Sequence, residues 1–163
     1  MPPTPFEQQV YTVLAELAVP YTLTEHPPVY TMQQAGTYDA GLPGAQCKNL
    51  FLRNKKGKRH FLAIFEASAS VDLHALGAQV GETGLSLASA QRLERILGVQ
   101  AGAVGPFALL HPAAREVSVL VQASLRASSH AGFHPNVNTR TLTLAWADFE
   151  RYLRHVGNPL QWI

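Results

Sequence analysis

Gly44-Ala-Gln-Cys-Lys-Asn-Leu-Phe-Leu-Arg53 decides how this chain is read: a glycine, a Lys-Asn pair, then an apolar run that closes on an arginine. Asn54-Lys-Lys-Gly-Lys-Arg59 follows, and a second apolar run extends to Phe65. Two apolar runs about a polar, glycine-bearing turn predict a β-hairpin, Cys47–Arg53 against Arg59–Phe65, with Gly57 at its tip. No acidic residue stands between Asp39 and Glu66, whereas Lys48, Arg53, Lys55, Lys56, Lys58 and Arg59 supply six of the 13 Lys and Arg. The hairpin is therefore cationic. That suits a phosphate-bearing ligand, and it equally suits the protection of a sheet edge by lysines.

Upstream, Thr4-Pro-Phe-Glu7 carries an N-cap threonine, a proline at the first helical position and a glutamate placed to close a capping box. Phe6, Val10, Val13, Leu14 and Leu17 then recur at helical spacing, which predicts a helix over 5–18 that Pro20 terminates. Tyr21–Glu25 alternates like a half-buried strand, and Thr31 with Gln34 predicts a short helix from 32. Downstream, Ser70 is expected to cap a helix carrying Val71, Leu73 and Leu76, with Asp72 in its first turn and Gly77 or Gly81 at its end. Leu85–Leu87 reads as a brief strand, and Ser89 caps a helix with Leu93, Ile96 and Leu97 on one face, stopped by Gly98. Val117–Val121 and Thr141–Leu144 read as strands, with Gly132–Thr139 a polar loop before the second. Trp146, Phe149, Tyr152 and Leu153 line one face of a helix that ends at Gly157, and Leu160–Ile163 returns as an edge strand.

Helices and strands intermix without a strict strand–helix–strand repeat, which predicts an α+β fold: a mixed sheet with helices outside. With 163 residues and 47% hydrophobic content the chain is one domain with a sizeable core. Neither a signal peptide nor an apolar run of about 20 residues is present, so a soluble, cytoplasmic protein is expected. One cysteine, Cys47, excludes an intramolecular disulfide and fits a reducing compartment. None of the seven histidines has metal-ligand spacing, and neither a metal nor a cofactor is expected. GxSxG, P-loop and dinucleotide fingerprints are also missing, which removes several enzyme classes.

Four features could carry chemistry. Lys48 and Asn49 together could hold a phosphate or polarise an ester carbonyl; a lysine capping an edge strand is the alternative. Period-two alternation sends adjacent side chains to opposite faces, so the two serve one site only if the strand starts later or bends. His134, in a loop of glycine and asparagine residues, is either a functional histidine or a surface one. The Gly102-x-x-x-Pro106 turn could cradle an anion or an adenosine through its amides, or simply join a helix to a strand. Cys47 beside Lys48 is either a nucleophile of lowered pKa or a small packing residue.

Taken jointly, Cys-Lys-Asn-Leu-Phe-Leu-Arg at 47–53, Gly102-x-x-x-Pro106 and Phe-His-Pro-Asn-x-Asn-Thr at 133–139 resemble the YbaK/ProX family of aminoacyl-tRNA deacylases. The resemblance extends to Val19-Pro-Tyr-Thr22, His26-Pro-Pro-Val-Tyr-Thr31, Val71-Asp-Leu73 and Asp148-Phe-Glu-Arg-Tyr-Leu153, almost the whole chain. It departs at Glu66-Ala-Ser-Ala-Ser70, where a more charged segment is expected, and at His74, where lysine is common. The resemblance implies a compact, barrel-like, largely antiparallel mixed sheet with surrounding helices. Its cleft would be lined by Lys48, Asn49 and His134 as catalytic residues and by Gly102, Gly105, Pro106, Tyr30, Thr31 and Asn136 as substrate contacts. It further implies hydrolysis of mischarged tRNA(Pro), Ala-tRNA(Pro) first, with no cofactor. Arg53, Lys55, Lys56, Lys58 and Arg59 would face the tRNA, and prolyl-tRNA synthetase is a possible partner. The alternatives are a deacylase for Cys, Ser or Thr, an inactive tRNA- or synthetase-binding module, and an unrelated nucleotide-binding protein.

Overall fold

The computed structural model describes residues 2–29 and 42–163. Tyr30, Thr31 and the helix expected from residue 32 lie outside the described residues. Helix α1, Pro5–Glu16, starts as its sequence dictates: Thr4 Oγ1 accepts the Glu7 amide at 3.1 Å, and the Glu7 carboxylate accepts the Thr4 amide at 3.3 Å. Val10, Val13 and Leu14 are its buried apolar face, and Glu7 is buried among them. That carboxylate is matched. Besides the Thr4 amide, Arg140 donates to both its oxygens at 2.8 and 2.7 Å, and the Tyr11 hydroxyl adds a fourth bond at 2.6 Å.

The strands form two open sheets among the described residues and no closed barrel. One is antiparallel: β1 (Thr22–Glu25) and β6 (His130–Phe133) flank β7 (Arg140–Ala145). The other has the order β4-β2-β3-β5-β8, with β2 Cys47–Arg53, β3 His60–Glu66, β4 Ser86–Leu87, β5 Ser118–Val121 and β8 Leu160–Trp162. β2 pairs antiparallel with β3 and β4, whereas β3–β5 and β5–β8 are parallel. The sheet is therefore mixed. The hairpin and the C-terminal edge strand fall where the sequence places them.

Alternation divides the core. Phe51, Leu62, Ile64, Val119 and Val121 face a large cluster shared with α1, the three-stranded sheet and the last helix, α4 (Trp146–Val156). Leu52, Phe61, Ala63 and Leu120 face a smaller one under helix α2, Leu73–Val80. With both faces covered, β3 is buried continuously from Phe61 to Phe65, which is why it reads as an unbroken apolar run. The N-cap of α2 is Asp72 instead of Ser70. Its carboxylate accepts the amides of His74 and Ala75 at 2.9 and 3.1 Å, while Gly81 ends the helix and Gly77 is buried inside it. A charged acceptor in reach of two amides outcompetes a serine hydroxyl. Helix α3, Ala90–Arg92, capped by Ser89, continues as a π-helical turn over Leu93–Leu97 to Gly98. The expected loop from Gly132 is shorter, since Gly132 and Phe133 complete β6 and the turn begins at His134.

Candidate active site

The chain crosses from one sheet to the other just before the Lys-Asn pair. Ala45 donates its amide to His130 O at 2.8 Å and bridges to Ala131 in parallel, and two residues later β2 begins. Gly44 is required at this crossing: its φ is +88°, and a Cβ there would sit 2.1 Å from His130 O. The register then runs regularly, Lys48 opposite Phe65 and Asn49 opposite Ile64. Phe65 and Leu50 belong to the core under α2, Ile64 and Phe51 to the large core. Lys48 and Asn49 thus leave opposite faces of the strand, and β2 neither starts late nor bends to bring them together.

They do share an edge. β4 pairs only with Leu52 and Arg53, so β2 has no partner on that side from Lys48 to Leu50 among the described residues. The Lys48 ammonium, half-buried, donates to Ala69 O and has no carboxylate partner among the described residues. Asn49 Oδ1 is buried with no hydrogen bond among the described residues. A buried amide oxygen without a donor costs ~1–3 kcal/mol, a cost native folds keep mostly where function uses the group.

His134 follows Phe133, which is buried in the large core at the end of β6. Its Nδ1 lies 3.0 Å from Gly102 O, and because a carbonyl only accepts, Nδ1 carries the proton and Nε2 the lone pair. Burial pushes the imidazole pKa below its ordinary value, the Gly102 bond opposes this, and the nearby His26 reinforces it. The two rings are 5.5 Å apart, and His26 Nε2 is 2.9 Å from Thr141 Oγ1. His134 is therefore a neutral base at neutral pH.

The Gly102–Pro106 turn is held from behind. Tyr152, fully buried on α4, donates to Pro106 O at 2.7 Å, and Asn136 Nδ2 donates to Phe107 O at 3.2 Å. Gly105 is extended at φ −179°, and its amide donates to no acceptor among the described residues. Asn136, at φ 63°, keeps a second orphaned oxygen, Oδ1. Gly102 and Asn136 also line a cavity of about 580 Å³ with Thr4, Gln100 and Asn138, on a side of the turn where His134, Gly105 and Pro106 are not part of the lining. The structure thus brings together His134, Gly102, Gly105, Pro106 and Asn136. No hydrogen bond among the described residues joins Lys48 or Asn49 to that group.

The basic turn is more organised than its lysines suggest. Buried Asn54 Oδ1 accepts the amides of Lys58 and Arg59 at 3.0 and 3.1 Å, and its Nδ2 donates to Glu82. Arg59 is ion-paired to Glu82, and Arg53 folds onto Asn54 O and Lys55 O. Lys55, Lys56 and Lys58 are exposed. Arg92 joins this group by donating to Gly57 O at 2.9 Å, an approach that no local pattern announces. Cys47 is settled by its surroundings. Burial first, then Glu66, pushes its thiol up to about 12, so it packs and is not a thiolate nucleophile.

Residues 26–152 match the aminoacyl-tRNA editing domain family, a span that contains every site residue placed above. The chain belongs to this family. Its relatives agree over nearly the full length: it is 38% identical over 155 residues to the prolyl-tRNA editing protein ProX of Acetoanaerobium sticklandii, covering 95% of this chain and 94% of that one. It is also 31% identical over 153 residues to the prolyl-tRNA synthetase associated domain-containing protein 1 of Danio rerio, covering 93% and 83%. Among solved structures, a candidate trans-editing enzyme for prolyl tRNA synthetase superimposes with TM-score 0.72 at 16% identity, covering 99% of this chain and 98% of that one. That likeness concerns the fold. Membership of the editing-domain family makes the chain an aminoacyl-tRNA deacylase, an ester hydrolase. No helix of the described residues is long and apolar enough to cross a membrane.

Proposed function

We propose that this editing domain hydrolyses tRNA(Pro) mischarged with a small amino acid, alanine first. The observation that carries the reading is the His134 clamp: Nδ1–H is fixed on Gly102 O, which leaves a neutral Nε2 as acceptor beside the glycine–proline turn. In this mechanism water attacks the ester carbonyl carbon with its proton directed to Nε2 or to a ribose hydroxyl. The free Gly105 amide meets the developing oxyanion, and the terminal ribose oxygen leaves with a proton. The products are the free amino acid and uncharged tRNA. Asn49 Oδ1 accepts from the substrate's ammonium or a ribose hydroxyl, and Asn136 Oδ1 from the same end of the substrate. Lys48, a half-buried cation at the open edge of β2, contributes its charge to the terminal phosphate once it leaves Ala69 O.

Preference for alanine follows from size. One methylene in an apolar pocket discriminates by ~1–3 kcal/mol, so a synthetase that admits alanine needs a second sieve too small for proline. The relatives' names supply the proline tRNA, and prolyl-tRNA synthetase enters as a partner on the same ground. The test is deacylation of Ala-, Cys-, Ser- and Thr-tRNA(Pro) by the full chain, its His134→Ala and Asn49→Ala variants and a Lys48→Ala variant. Each of the first two is expected to lose about 10²-fold in kcat/KM, the typical size for a positioned acid–base or donor group. Hydrolysis of none of the four sinks the reading, and full activity in Lys48→Ala removes Lys48 from it.

A further inference from the structure

A second concentration of chemistry lies at the base of the basic turn. Arg53 at the end of β2, Arg92 at the end of α3 and Arg95 in the π-helical turn gather about His60. Arg92 Nη1 is 2.9 Å from Gly57 O and 3.0 Å from His60 Nε2, so it donates to both. Arg53 Nη2 donates to Lys55 O at 3.0 Å. Both guanidinium groups converge on Gly57, where an added Cβ would lie 2.7 Å from Arg92 Nη2 and 3.1 Å from Arg53 Nη2.

No ion pair among the described residues involves Arg53, Arg92 or Arg95. Of the acids near them in sequence or space, Glu82 is taken by Arg59 and Asn54, and Glu94 is exposed on the same turn as Arg95. The imidazole of His60 is held below its ordinary pKa by burial first, then by Arg92, Arg95 and Arg53, with no carboxylate among the charges that act on it. Three like charges around one neutral ring repel unless an anion joins them. Guanidinium forks match phosphate oxygens in geometry as well as charge.

We propose that Arg53, Arg92 and Arg95 around His60 bind a backbone phosphate of RNA, and that exposed Lys55, Lys56 and Lys58 continue the track along the stem. The choice of RNA rests on the editing reading above. The site itself rests on the convergence of the Arg53 and Arg92 guanidinium groups on Gly57 beside His60, neither with a carboxylate partner among the described residues, with Arg95 adding its charge to the same ring.

Filter binding of uncharged tRNA to the full chain, over a range of salt concentrations, tests it through Arg95→Glu, since Arg95 is exposed and makes no hydrogen bond among the described residues. The variant is expected to bind at least about tenfold more weakly at low salt, with a salt slope smaller by about one ion for each phosphate the protein no longer neutralises. A binding curve and slope that coincide with the parent's overturn the proposal. A second measurement needs no variant: the His60 ring nitrogens, followed by NMR, are expected to shift with an acceptor-stem minihelix at concentrations where inorganic phosphate does nothing. Equal shifts with both identify a free-phosphate site and overturn the RNA assignment. Hydrolysis of an aminoacylated CCA trinucleotide, which lacks the stem, reads the editing function separately, and its absence removes that function without altering either binding result.

Discussion

In the proposed mechanism His134 is where chemistry and titration meet in one side chain. If neutral Nε2 receives the proton, deacylation rises with pH through an apparent pKa below the ordinary histidine value of about 6.5 and is flat at neutrality. Stability follows the same group. The unfolded state binds its proton at higher pH than the folded one, so this contribution is fully present above about 6.5 and is lost as pH falls through the lower folded pKa. A rate profile and urea midpoints from pH 5 to 8 check both, and His134→Asn is expected to flatten the acid limb of each. For Cys47, a thiol held near 12 is inert at neutral pH. Cys47→Ala is expected to keep full deacylation and to lose about 1 kcal/mol of packing, and the parent enzyme to resist iodoacetamide.

Elements hold these residues through a few bonds that span long stretches of chain. Tyr152 on α4 anchors the glycine–proline turn by its hydroxyl on Pro106 O. Tyr152→Phe removes that hydrogen bond, at about 1 kcal/mol by urea unfolding, and loosens the Gly105 amide, which is expected to show as a lower kcat with little change in KM. On α1, Glu7→Ala strips the half-buried Arg140 of the carboxylate that accepts two bonds from its Nη1 and loosens α1 from β7. A loss of about 3 kcal/mol is expected, at the low end for a broken buried pair because Arg140 keeps some exposure and an ion pair with Glu25. The parts legible in the sequence were those written in neighbouring residues: the capping box of Thr4 and Glu7, the apolar runs of β2 and β3 about their glycine turn, and the glycine stops after the π-helical turn of α3 and after α4. β6 was hidden because Ser128-Ser129-His130 and Gly132 look like a loop. In the fold, Gly132 lets β6 approach Thr141 closely, since a Cβ there would lie 3.1 Å from its Cγ2. Likewise, the opposite faces of Lys48 and Asn49 follow from the two-residue period. That Arg92 completes the basic cluster does not, because 35 residues separate it from Gly57.

At the scale of the molecule, each sheet is completed by strands distant in sequence. β1 pairs with β7 through Thr22 and Thr143, and β5 pairs with β8 through Val121 and Trp162. Beyond that ladder, Ile163 donates to Val121 O at 2.9 Å and accepts the Ala123 amide at 2.7 Å, while Arg126 stacks on the Trp162 ring at 4.1 Å. Deleting Leu160–Ile163 is expected to lower the melting temperature and to promote aggregation through the bared edge of β5, measured by calorimetry and light scattering. The same pairing constrains synthesis. While the chain emerges from the ribosome, β1 waits for a partner more than a hundred residues away, and β5 waits for Leu160–Trp162. The hairpin of β2 and β3 is the part able to form early. The glycine–proline turn and its tyrosine latch come together only once α4 has emerged, which makes folding slow, cooperative and dependent on the residues made last among those described.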